Sequence, residues 1–202
     1  VQAHMYLEND KTLKDLYSEE DYEFLANAVR EVLGMNIRLF ERMKPFFVMS
    51  MFMQTTMKTD KPYFVDKYLY DMAVNKGMKT ISVEKVSEQI DAIKSSPPEV
   101  LIEYIKEMNN EDDKMEELIE AYRTQDLSKM LALSEQDTSN KEMMVALLDK
   151  RNHTMAKRIT RIVRKQPTFI AVGALHLPGD IGIIRLLEQR GFKVRPIYAP
   201  RG

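Results

Sequence analysis

The 202-residue chain has three histidines and no cysteine, so any metal site must use imidazole and carboxylate groups. His176 has the most distinctive setting of the three. It ends the run Thr168-Phe169-Ile170-Ala171-Val172-Gly173-Ala174-Leu175, and the chain then breaks into Leu177-Pro178-Gly179-Asp180. An imidazole fixed at such a point can ligate a metal or exchange a proton near pH 7. Glu84 follows a second run, Met78-Lys79-Thr80-Ile81-Ser82-Val83, and places a carboxylate in the matching position. Arg151 and Asn152 interrupt the apolar helical stripe Met144, Leu148, Met155, Ile159 and Ile162, and Asn152 lies on the stripe itself. Polar groups that face a core must be hydrogen-bonded. The pair therefore either meets the other polar candidates or serves helix packing alone. Gly173 removes a side chain three residues before His176, where the backbone must pass close.

The remaining candidates read as structural or extraneous. His153 falls with Asp149, Lys157 and Thr160 on the wet side of its helix. His4 lies in Val-Gln-Ala-His-Met, residues 1–5, which look like the remnant of a cleaved tag. Phe46, Met49, Met53 and Met57 recur at helical spacing, a pattern that fills a core more readily than it binds copper.

Elements follow from caps and periodicity. Ser18-Glu19-Glu20-Asp21 opens a helix that carries Tyr22, Leu25, Val29 and Val32 inward and stops at Gly34. A second helix runs from Phe64 to Lys76 and ends at Gly77, and the double proline Pro97-Pro98 punctuates the middle of the chain. Residues 98–133 read as charged helices joined by a turn at Asn109–Lys114, their charges a solvated face. The apolar stretch 168–175 predicts a strand buried on both faces of a parallel sheet, with further strands at 79–84 and 193–198 and a helix over Ile181–Gln189. The expected fold class is α/β: a small, mainly parallel sheet linked by a right-handed crossover, beside a large helical middle region, with helix dominant by residue count. In such a fold Glu84 and His176 share the rim at the carboxyl ends of the strands, where ligands bind.

Net charge −1, from 30 basic and 31 acidic side chains, gives no field that favours nucleic acid or anionic lipid. The most apolar segment, Phe46 to Met53, is far below the roughly 20 residues that cross a bilayer.

The stretches Arg-Asn-His-Thr-Met-Ala-Lys-Arg-Ile, from Arg151, and the block from Thr168 to Ile197 resemble the C-terminal two-thirds of the TraB/GumN family, relatives of the Tiki proteases. Val83-Glu84-Lys85 with Gln89 is similar to that family's Leu-Glu-Thr-x-x-x-Gln element, and the resemblance covers about residues 10 to 198. It implies one domain over residues 6–202 and a metal-dependent hydrolase, a peptidase acting on peptide or protein substrates. Its site would use two Gly-x-x-His motifs and acidic residues. Gly173 and His176 match the second motif, Glu84 the middle acidic position, and Arg151 and Asn152 the Arg-Asn pair. By that resemblance Glu84 and His176 would hold a divalent ion (zinc, manganese, cobalt or iron), with Glu84 as ligand or general base. Arg151, Asn152 and Gly173 would face the substrate. The first Gly-x-x-His motif has no match here and is expected in a strand preceding Leu13, so the chain resembles a family member lacking its N-terminal part. The resemblance also implies an extracytoplasmic location, periplasmic or at the cell envelope, with any membrane association through that N-terminal segment. Two rival readings stand beside the hydrolase. One is a protein of the same fold that captures a peptide without cutting it, as in pheromone control; the other is a structural domain whose His176 only caps its own loop.

Overall fold

The structure is a computed structural model and describes residues 4–56, 64–94, 96–108, 112–136 and 148–198. Among these residues the architecture is helical, with a single isolated antiparallel bridge, Tyr6 to Met43. The helices are α1 (Glu19–Leu33), α2 (Pro45–Thr56), α3 (Val65–Asn75), α4 (Val86–Lys94), α5 (Glu99–Glu107), α6 (Asp112–Arg123), α7 (Leu127–Glu135), α8 (Lys150–Val163) and α9 (Ile183–Glu188). They fall into two compact units, Val1–Lys61 with Ile90–Asp113, and Pro62–Gln89 with Lys114–Gly202.

The first unit is built on α1, α2 and α5. Ser18 caps α1 by accepting from the Asp21 amide at 3.1 Å, and Gly34 closes it in the left-handed region at φ 66°. Such caps satisfy backbone groups that a helix end leaves unpaired. Leu13, Leu25, Val29, Val48, Phe52 and Leu101 are sealed from solvent. The Tyr17 hydroxyl donates to the Pro98 carbonyl at 2.6 Å, tying the start of the unit to the turn before α5. Met49 joins the core while Met53 is half-buried, which fits the packing role of the methionine stripe; Met57 lies outside the described residues.

The second unit is organised by α8. Met155 and Ile159 pack with Ile183 of α9, and Val83, Ile170 and Val172 lean on the same cluster. Val163 and Leu187 pack on it too, and Ala156 and Leu186 are buried on the same two helices.

The expected α/β sheet is absent among the described residues. Residues 79–84, 168–173 and 193–198 run without ladder pairing, and the crossover is not formed. The reason is that a strand is a pairing, not a local state, and an apolar run with no neighbour cannot become one. Burial shows the same thing. Ile170 and Val172 face α8, while Phe169 is 75% exposed and Ala171 is exposed, so the run is covered on one side rather than two; in the separate 193–198 stretch Ile197 is 86% exposed. The helix expected over Ile181–Gln189 begins later, at Ile183, because Gly182 occupies its N-cap and Asp180 lies in the preceding turn. Asn109, Asn110 and Glu111 of the expected turn lie outside the described residues, as does Met144 of the expected helical stripe. Asp112, Asp113 and Lys114, expected in that turn, belong to α6 instead.

Candidate functional site

The Gly-x-x-His spacing is the signature of one turn of 3-10 helix. Ala174–His176 forms that turn, and the His176 amide donates to the Gly173 carbonyl at 3.0 Å. Residues three apart eclipse in this helix type. A methyl group at Gly173 would accordingly sit 3.5 Å from His176 Cδ2, an ordinary contact, so the close backbone approach expected there is not what selects glycine. The demand falls instead on Gly182, where an added Cβ would lie 2.0 Å from the Pro178 carbonyl oxygen.

His176 is buried, and its Nδ1 lies 2.6 Å from Asn152 Oδ1. Asn152 Nδ2 donates to the Ile181 carbonyl at 3.0 Å. A carbonyl can only accept, so this bond fixes which way the amide points and puts its oxygen toward the ring. Nδ1 must therefore carry the proton, and Nε2 keeps its lone pair. Burial depresses the His176 pKa below its ordinary value of 6.5, and the Arg151 cation pushes the same way, partly opposed by Glu84. The ring is neutral at pH 7.

One residue earlier on α8, Arg151 reaches Glu84 with two bonds, Nε to Oε1 at 2.5 Å and Nη2 to Oε2 at 2.8 Å. Gln89 donates to Oε2 at 3.0 Å. Successive helix positions diverge by about 100°, which lets Arg151 and Asn152 serve two different partners from one turn. Burial raises the Glu84 pKa, but the bonds from Arg151 and Gln89 outweigh it, and the carboxyl titrates below its ordinary 4.5. A carboxylate so held is a poor proton acceptor and a good fixed charge.

The chain thus brings Glu84, Arg151, Asn152 and His176 into one electrostatically connected cluster within the second unit. Sequence reasoning missed two charged neighbours. Arg158 binds Glu88 at 2.6 and 2.7 Å and the Val83 carbonyl at 3.1 Å, while Glu88 also accepts from the Lys85 amide at 2.8 Å. The available signals were the spacing of seven between Arg151 and Arg158 and the capping-box position of Glu88 at the start of α4. His153 is exposed, as its wheel position implies.

Against a divalent ion, the fit of these residues is partial. Nε2 of His176 is a donor atom on a ring oriented through Nδ1 by Asn152, and Glu84 retains about one acceptor position of roughly four. No group of three or more metal-binding side chains occurs among the described residues, whereas a catalytic ion usually takes about three protein ligands.

The site defines a class: a helical scaffold on which one helix orients a neutral histidine and pins a carboxylate. The TraB/PrgY/gumN family model matches residues 1–196, essentially the whole chain, and the protein belongs to that family. No curated protein and no solved structure matches it.

Proposed function

We propose that the protein is a metal-dependent hydrolase acting on peptide or protein substrates, with His176 as one metal ligand. The observation that carries this reading is the buried imidazole held through Nδ1–H by Asn152, with the Nε2 lone pair unspent. Metal-binding histidines are oriented in this way by a partner on their other nitrogen. Glu84 is the companion ligand, its charge and plane set by Arg151, and zinc, manganese, cobalt and iron all accept such a donor pair. A bound ion would supply a water of lowered pKa and a polarised carbonyl. Arg151 and Asn152 act here on the centre's own groups, so contact with substrate is secondary for them. An extracytoplasmic site of action belongs to the same proposal.

A second reading, peptide capture without cleavage, draws on one observation: the Glu84 carboxylate is already bonded by Arg151 and Gln89. Calorimetric titration with Co2+ and a peptide-mixture assay at saturating metal separate the two. The hydrolase reading expects weak Co2+ binding, since two donors stand where about three are usual. That binding should vanish in His176→Ala, with the helical circular-dichroism spectrum kept and Tm lowered by the loss of the buried bond to Asn152. Peptide binding without cleavage would favour capture, and equal Co2+ binding by wild type and His176→Ala would sink the ligand assignment.

A further inference from the structure

Arg158 stands seven residues after Arg151 on α8, which places it on nearly the same face about 10 Å further along the axis. Both arginines grip one short segment. Arg151 takes the Glu84 carboxylate; Arg158 takes the Val83 carbonyl just before it and the Glu88 carboxylate just after it. Glu88 in turn accepts from the Lys85 amide. The residues around Glu84 have no regular structure of their own to fix them, since α4 begins only at Val86. The backbone on both sides of Glu84 is therefore referred to α8, the helix whose Asn152 orients His176.

We propose that Arg158 is a positioning residue for this centre, setting through the Val83 carbonyl and Glu88 where the Glu84 carboxylate lies relative to His176. The proposal rests on the reading of Glu84 and His176 as a functional pair. Arg158 and Glu88 are each about 30% exposed, and ion pairs near the surface add little to global stability. Their geometry is nevertheless specific: two parallel bonds to a carboxylate and a third to a carbonyl, a pattern lysine cannot copy.

The test compares Arg158→Met, Arg158→Lys and the swap Arg158→Glu with Glu88→Arg in the intact chain. The readouts are Tm, amide hydrogen exchange and Co2+ affinity. Arg158→Met should leave Tm nearly unchanged, speed exchange of the Lys85 and Glu88 amides about tenfold or more, and weaken Co2+ about tenfold, the range for loss of an outer-shell partner. Neither Arg158→Lys nor the swap should rescue the local readouts, because the swap leaves no acceptor for the Lys85 amide and no donor to the Val83 carbonyl. In a Glu84→Gln background Arg158→Met should add no further loss of Co2+ affinity, because neighbours acting through one another are non-additive. Unchanged exchange at residues 85–88, or an equal rise throughout α8 and α9, overturns the proposal. If wild type binds no Co2+, the metal reading fails, and the exchange comparison still decides whether Arg158 holds the Glu84 segment.

Discussion

The two units bury different things. Among the described residues, the first buries apolar side chains, from Leu13 through Phe52 to Ile105. The second holds all three buried polar residues, Glu84, Asn152 and His176, beside a shorter apolar set drawn from α6, α7, α8 and α9. The first is therefore held by water exclusion, which is tolerant of detail. The second depends on complementary bonds, which fail when one partner is removed. The difference sets an apolar unit beside one that carries the candidate site.

The largest expected effect sharpens this contrast. Phe52→Ala should cost about 3–5 kcal/mol, the loss of a large buried aromatic plus its cavity. Arg151→Ala should cost less, about 2–3 kcal/mol, because a buried charge is left unpaired but the Arg151 side chain is 19% exposed and water can reach it. In the polar cluster, moreover, the double variant Arg151→Met with Glu84→Gln should recover much of the loss. Urea denaturation measures all three. A double variant no more stable than Arg151→Ala alone would break the contrast.

A smaller effect is expected from acid. The folded pKa of His176 is depressed below 6.5, that of Glu84 below 4.5, and Arg158 holds Glu88 down to about 2. In each case the unfolded chain binds protons first, so stability is full above the ordinary pKa and falls as pH drops through the folded one. Urea midpoints should decline from about pH 6.5 downward through His176, then further below 4.5 through the carboxylates. His176→Gln should flatten the upper part of that decline and leave the lower part. A midpoint independent of pH between 7 and 5 in the wild type would contradict the buried neutral imidazole.

The smallest effect is expected at the motif glycine. Gly173 has φ −59° and an added Cβ meets only the His176 ring edge at 3.5 Å. Gly173→Ala should shift stability by less than about 1 kcal/mol, checked by the same urea curves. A larger loss would show that the turn tolerates less than its geometry indicates.

How much of this was legible in the sequence depended on range. The start and stop of α1 could be read because Ser18 and Gly34 act on groups within a few residues. The lack of a sheet among the described residues could not, because strand pairing depends on partners far along the chain, and an apolar residue such as Phe169 or Ile197 does not declare that nothing covers it. At the site, Asn152 was visible as a polar residue on an apolar stripe, and His176 as an imidazole at a chain break. Arg158 and Glu88 were not, since 30% of the residues are charged and one Arg on a helix face resembles the next. Only the fold shows that both meet at the backbone beside Glu84.

Asn152 gives the cluster one further property. In Ser-His-Asp machinery the group behind the imidazole is an anion, which rewards protonation of the ring and turns it into a proton relay. Asn152 is uncharged, and its amide is locked by the Ile181 carbonyl. It dictates the direction of the ring without changing its appetite for protons. A histidine seated in this way keeps its lone pair on the same nitrogen across the neutral range, behaving as a constant fitting rather than a shuttle.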